Sequence, residues 1–391
     1  MRGIGLFRVI LALLVVDQHF NLAQHHLQRI ASEYLGAENL IFLGIGHIAV
    51  YGFFVVTGFL IAFVWNTNYK LHPQGTSAFL VSRMLRIYPL HWIILTIFVV
   101  ALFIVRPPEL PSPQRLFLDY TLIPQGILGF FGDFGRLAYN TTNIPTWTLT
   151  YDLLFYLFAP FLMGSIRRLW TVLGIELVYA TFCAFTLENT YETWHLRYFL
   201  AGHGLLAAYT IGALVYHYRE RLRGPYHFWI GLLGLLLIAL VPYQLGNYVV
   251  ASVIVMVLFA VMVANTRFLA GRDVLIGDLT YPIYLLHFPF LELLAHQKLV
   301  PQYGYITALV ATLIVSIAVL FLLEEPMKRL RKRITRLVAD RPAGFGLSAS
   351  LTRITPAHYF ILLGALMLAM TYNGYTFLVA PVDAATVVSA P

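Results

Sequence analysis

Eleven runs of apolar residues recur along the chain, near positions 5–23, 44–65, 86–105, 147–166, 169–186, 198–217, 228–243, 247–264, 279–297, 304–323 and 357–380. A helix needs about 20 mostly apolar residues to cross a hydrocarbon core, so the pattern predicts an all-α polytopic integral membrane protein. The run 169–186 is short and holds one carboxylate, Glu176, and Pro242 lies near the end of the seventh run, just before the eighth. The longest outer connection, 106–146, is rich in proline, glycine and aromatic residues, among them Pro107, Pro111, Phe130 and Phe131. Such a loop either covers an outer mouth or simply joins two spans. The stretch 324–356 opens as a basic amphipathic helix and closes in a linker, while the final run carries few polar groups.

Polar residues that interrupt the apolar runs are expensive and therefore informative. Arg8 and His19 both lie in the first run, eleven positions apart. At 100° per residue they return to within about 20° of one face, with a rise of about 16 Å between them. That predicts a polar stripe facing a bundle interior or a wet cavity. Asp17 falls about 200° round the helix from His19 and is badly placed to orient it. The chain has neither a Gly-x-Ser-x-Gly elbow nor a phosphate-cradling glycine loop, which leaves His19 as the candidate acid–base group. A neutral imidazole there suits proton transfer from a hydroxyl that attacks a thioester.

Other interruptions cluster in four places. In the second run, Gly52, Thr57 and Gly58 are small enough for close helix approach. Arg83 and Arg86 precede the third run at i,i+3 spacing, either snorkelling to an interface or presenting paired guanidinium forks to phosphate. The fourth run opens Trp147-Thr-Leu-Thr-Tyr-Asp152. Trp147 suits an aromatic belt, whereas the Asp152 carboxylate needs a partner or a wet cavity. The ninth run contains Tyr284 and a second imidazole, His287, placed to pack against the first. His47 and His91 read as interfacial or structural. No His/Glu pair inside a run has the spacing of a zinc or iron site, so no metal is expected.

Composition narrows the class. With 59% hydrophobic and 11% charged residues among 391, the chain is excluded from the ordinary soluble domains. A cytoplasmic N-terminus places 20 of the 26 Lys and Arg residues on the inner side, including the run from Lys328 to Arg353. The positive-inside rule thus predicts a cytoplasmic N-terminus and an extracytoplasmic C-terminus. The net charge of +8 follows from those inner loops. It points to anionic lipid contact by Lys328–Arg336 and not to nucleic acid, since no soluble domain presents a basic face. Cys183 stands alone in an apolar run, which leaves no disulfide. The first run lacks a small-residue cleavage site and reads as a retained helix. No internal repeat is evident, an argument against transporters built from duplicated halves.

Taken in order, these segments resemble the membrane-bound acyltransferase 3 family. Arg8-x10-His19 matches that family's opening motif, and Phe53-Phe-Val-Val-Thr-Gly58-Phe-Leu-Ile is similar to its FFVLSGFLI segment. Arg83-Met-Leu-Arg86-Ile-Tyr-Pro89 resembles its RRxxRIYP segment, and Trp147–Asp152 its WSLSVE. Tyr281–Pro289 resembles YSLYLWHFP, and Glu325-Pro326 falls in its closing E-x-P region. The chain departs from the pattern at Tyr51, where an acidic residue is usual, and at Asp152, where the family carries glutamate.

The resemblance implies a ten-helix acyltransferase core over 1–333, followed here by a cytoplasmic linker at 334–356, an added eleventh transmembrane helix at 357–380 and an outer tail at 381–391. It implies an enzyme of a bacterial cytoplasmic (inner) membrane that takes an acyl group, usually acetyl, from cytosolic acyl-CoA and delivers it to an outer polysaccharide. By the same analogy His19 is catalytic, Arg8, Arg83 and Arg86 engage the donor, and Trp147, Asp152, Tyr284 and His287 hold motif positions. The acceptor would be a cell-envelope or secreted glycan, including a cellulose-like exopolysaccharide. A polysaccharide synthase or export complex, or a separate extracytoplasmic acyl-handling enzyme, would be the partner. Two other readings of the residues stay open: a carrier for a glycan or lipid-linked sugar, and a membrane subunit of an export machine with no chemistry of its own.

Overall fold

The computed structural model describes residues 3–20, 44–105, 111–122, 142–186, 188–239, 247–266, 273–296, 304–340 and 356–379. Within them the chain is helical, with no strand. The helices are α1 (Ile4–Phe20), α2 (Ile45–Val64), α3 (Gly75–Val105), α4 (Pro113–Thr121), α5 (Trp147–Leu162), α6 (Ile166–Thr186) and the short α7 (Tyr191–Trp194). They continue as α8 (His203–Tyr218), α9 (His227–Ala239), α10 (Tyr248–Ala264), α11 (Asp273–Phe290), α12 (Gly304–Val319), α13 (Glu325–Ala339) and α14 (Pro356–Val379). Wider π-helical turns extend four of the elements, at Trp65–Tyr69, His195–Leu200, Leu291–His296 and Leu320–Glu324.

Each predicted apolar run overlaps one of these helices, with the ends at 21–23, 240–243, 297 and 380 outside the described residues. Four segments among the described residues are long and apolar enough to cross a membrane by length and composition: Ile45–Tyr69, Gly75–Val105, Ile166–Thr186 and Gly304–Ala339. Shorter apolar helices include Tyr248–Ala264 and His227–Ile238. Most of the outer connection (106–110 and 123–141), much of the linker (341–355) and the tail (381–391) lie outside the described residues. The expected amphipathic helix forms as α13, which buries none of its residues and runs across position 333 without a break.

One boundary moves in an informative way. The apolar pattern starts the third span at 86, because Arg83 and Arg86 end the hydrophobic window. The helix itself starts at Gly75, and Ala78 and Phe79 are fully buried on its early turns. Arginine is a good helix former, so a guanidinium ends an apolar run without ending the helix.

α2 sits at the centre, packed on α1, α8 and α10. Its contact with α8 depends on two glycines that face each other's backbones. A Cβ on Gly58 would overlap the Tyr209 carbonyl, and a Cβ on Gly212 would overlap the Val55 carbonyl. Small residues let helix axes approach where lipid supplies no hydrophobic drive between helices. Gly52 serves α1 and α10 in the same way, since a Cβ there would meet Leu11 and Phe259. Thr57, the third small residue of that run, lines a cavity instead.

Glu176 finds its partner across the bundle. His203 Nδ1, at the start of α8, lies 3.1 Å from Glu176 Oε2, and both side chains are buried. The other ring nitrogen, Nε2, is 3.0 Å from the Thr371 hydroxyl of α14. That hydroxyl donates to the Met367 carbonyl at 2.9 Å, so it accepts from His203. Phe161 stacks on Tyr359 with ring centroids 4.9 Å apart. The added C-terminal helix is thereby tied to the bundle by a polar contact as well as by packing.

Candidate active site

Five of the eight residues singled out from the sequence line one cavity of about 290 Å³: Arg8 from α1, Arg83 and Arg86 from α3, Asp152 from α5 and Tyr284 from α11. Helical periodicity accounts for the convergence within α3, where i,i+3 spacing puts both guanidinium groups on one face. The cavity's other wall is apolar and comes from α2, with Phe53, Leu60, Ile61 and Val64 among its residues. The space is therefore amphipathic, cationic on one side and hydrocarbon on the other.

The arginines differ in their partners. Arg86 Nη1 is 4.0 Å from Asp278 and 3.8 Å from Glu324. Arg83 lies 5.6 Å from the Phe79 ring centroid and 6.0 Å from that of Tyr156, and its Nε has no hydrogen-bond partner among the described residues. Its Nη2 donates to Ser82 Oγ at 3.4 Å, and a half-buried cation against aromatic faces, without a full set of acceptors, is poised for an incoming anion.

Tyr284 lines the same cavity. Its hydroxyl donates to the Pro145 carbonyl and contacts the Thr148 hydroxyl, fastening α11 to the start of α5. A second tie runs from Asn143 Nδ2 to the Leu285 carbonyl at 3.0 Å. Asp119 of α4 braces the same corner, accepting from the Thr142 amide at 3.0 Å. Burial pushes the Asp119 carboxyl above the usual carboxylate range, an effect the Thr142 contacts partly offset.

His19 and His287 do not line the cavity; they stand just past Tyr284. The two imidazoles pack at 5.2 Å between centroids, tilted by 43°, and His287 is 6.0 Å from the Tyr284 ring. His287 is fully buried, and its Nδ1 donates to the Ile283 carbonyl at 3.2 Å. The other nitrogen, Nε2, therefore carries the lone pair and has no partner among the described residues. The Gly46 amide donates to Gln18 Oε1 at 3.1 Å, which fixes the His19 end of α1 against the start of α2. Trp147 lies apart from the cavity, edge-on to Phe199 at 5.5 Å and Tyr151 at 5.9 Å. His47 and His91 hold structural contacts, His47 among aromatic rings and His91 Nε2 donating to the Asp119 carbonyl at 2.7 Å.

Several contributors were not singled out beforehand. Tyr156, Thr148, Tyr281 and Asp278 all line the cavity. Glu324 is buried beside Arg86. Tyr156 lies at i+4 from Asp152 and so shares its face, a spacing signal present in the sequence. Glu324 stands two positions before Pro326, the spacing of the E-x-P region, and meets Arg86 across the fold.

Comparison with known proteins identifies the family. A family model described as acyltransferase domain matches residues 1–325. The chain is similar to a putative acetyltransferase, ORF330, of Acidianus two-tailed virus, 25% identical over 265 residues that span 64% of this chain and 72% of that protein. It is also similar to the acyltransferase MdmB of Streptomyces mycarofaciens, 28% identical over 162 residues, or 38% of each chain. No solved structure matches it.

Proposed function

Because the chain belongs to the membrane-bound acyltransferase 3 family and is a membrane acyltransferase, we propose that its donor is a cytosolic acyl-CoA and its acceptor a carbohydrate hydroxyl at the outer face. The observation that carries this reading is the convergence of Arg8, Arg83 and Arg86 on one cavity whose lining residue Tyr284 lies 6.0 Å, ring to ring, from His287 of the His19–His287 pair. Guanidinium forks suit the phosphates of CoA, and the apolar α2 wall suits a pantetheine arm and acyl chain. Arg8 and His19 are separated by a rise of about 16 Å, so phosphates and thioester sit at opposite ends of the route.

In this reading His19 accepts the proton of the attacking hydroxyl while its oxygen bonds to the thioester carbonyl carbon. Collapse of the tetrahedral intermediate breaks the carbon–sulfur bond, and the proton passes from His19 to the departing thiolate. His287 positions His19 by packing its imidazole against it, 5.2 Å between ring centroids. Asp152 and Tyr284 shape the cavity wall between the two ends.

The proposed placement is a bacterial cytoplasmic membrane, with the N-terminus inside, eleven spans and the C-terminus outside. The acceptor is proposed as a cell-envelope or secreted polysaccharide, supplied by a synthase or export complex. The test is transfer of labelled acetyl from acetyl-CoA to glycan fragments by the full chain in nanodiscs. Acceptor-dependent release of CoA that disappears in His19→Ala supports the reading. Acceptor-dependent release that persists in folded His19→Ala sinks the catalytic role.

A further inference from the structure

At the arginine end of the cavity, α3, α11, α13 and the turn Leu320–Glu324 meet in a cluster of charges. Glu324 is 0% exposed, and neither of its carboxylate oxygens has a hydrogen-bond partner among the described residues. Two guanidinium groups compensate it from a distance: Arg86 Nη1 and Arg331 Nη1 each lie 3.8 Å from Oε1. A direct charge-assisted hydrogen bond is about 2.7–2.9 Å long, so both contacts are loose. Arg331 is well covered for a residue of a surface helix, with its side chain 10% exposed. Its neighbour Lys328 is already engaged by Asp278 and, at 3.0 Å, by Glu325.

We propose that Arg331 takes the 3′-phosphate of the acyl-CoA donor, and that Glu324 is the counter-ion this phosphate displaces. The inference rests on the donor assignment above. In CoA the thioester stands at one end, the diphosphate in the middle and the ribose 3′-phosphate beyond it. With the thioester at His19 and the diphosphate at Arg8, Arg83 and Arg86, the 3′-phosphate falls past Arg86, where Arg331 is the next cation without a close carboxylate. A phosphate monoester carries a charge of about −1.5 to −2 and offers three acceptor oxygens to a planar fork. A single carboxylate at 3.8 Å, with no hydrogen bond, competes poorly with it. When the phosphate arrives Glu324 keeps Arg86, so its buried charge is not left uncompensated.

The experiment compares CoA with dephospho-CoA, binding to the full chain in neutral phosphatidylcholine nanodiscs. The wild type should prefer CoA, and Arg331→Ala should lose about tenfold in CoA affinity while dephospho-CoA is unchanged, as expected for one charged hydrogen-bonded contact. Glu324→Gln should tighten CoA selectively, because the competing charge is gone. The ratio of two ligands on one sample is insensitive to partial unfolding. If Arg83→Ala weakens both ligands but Arg331→Ala leaves the CoA preference intact, the donor assignment stands and this inference falls. If the wild type binds neither ligand, both fall. If Arg331→Ala leaves the ratio unchanged and instead lowers binding of anionic lipid headgroups, Arg331 is a lipid contact and the inference is overturned.

Discussion

His19 and Arg83 stand in different surroundings, and the proposed function gives them different roles. His19 sits beside a buried imidazole whose Nε2 has no hydrogen-bond partner among the described residues, next to Tyr284 and outside the cavity lining. Replacing it with glutamine keeps the shape and removes the base. His19→Gln is expected to lower turnover by about 10²–10⁴-fold with CoA binding retained, read by single-turnover acetyl transfer. Arg83 instead lies over aromatic faces inside the cavity. Arg83→Lys keeps the charge but loses the planar fork, so KM for acetyl-CoA should rise about tenfold with kcat little changed. An equal fall in kcat would place Arg83 at the chemistry and not at the donor. Both residues were legible in the sequence as charges at helical spacing. Glu324 was marked only by its E-x-P spacing to Pro326, and its partners arrive from α3 and α13 across the fold.

The helices owe their positions to a few contacts that periodicity alone does not specify. The Gly58–Gly212 approach lets α2 and α8 pack backbone to backbone. Gly58→Val would force these helices apart and should cost about 1–3 kcal/mol or more, seen as a lower unfolding temperature in detergent. An unchanged temperature would mean that the helices slide without loss. α14 carries few polar groups, yet its Thr371 hydroxyl meets His203. Thr371→Val keeps volume and removes the acceptor, with an expected loss of about 1 kcal/mol by the same assay. The small residues of α2 announced close packing, but not which helix they would meet. Asp152 announced a need for a partner, but the sequence placed it near an outer belt and Arg83 at an inner boundary. The cavity puts them on one wall.

For the molecule as a whole, the asymmetry of charge is the strongest statement about orientation. With Cys183 replaced by serine, single cysteines at Glu188 and Lys332 should label from opposite faces of sealed vesicles, Lys332→Cys only from the cytoplasmic side. Labelling of both from one side would refute the proposed topology. The acyltransferase core and the added helix form one packed body through the Glu176–His203–Thr371 contacts, so α14 belongs to the bundle mechanically.

The sequence by itself determined the class, the positions of the helices and the identity of the costly residues. Those follow from local quantities: hydropathy over about 20 residues, the 3.6-residue period and the energetic penalty of charge in lipid. The tertiary structure decided which of those residues meet. It set Arg8, Arg83, Arg86, Asp152 and Tyr284 around one space, moved Trp147 away from it, and left His19 and His287 as a pair beyond Tyr284. It also gave Glu324 two arginines from different helices. Such pairings depend on helix rotation and crossing, which close contacts like Gly58 on Tyr209 set across the bundle.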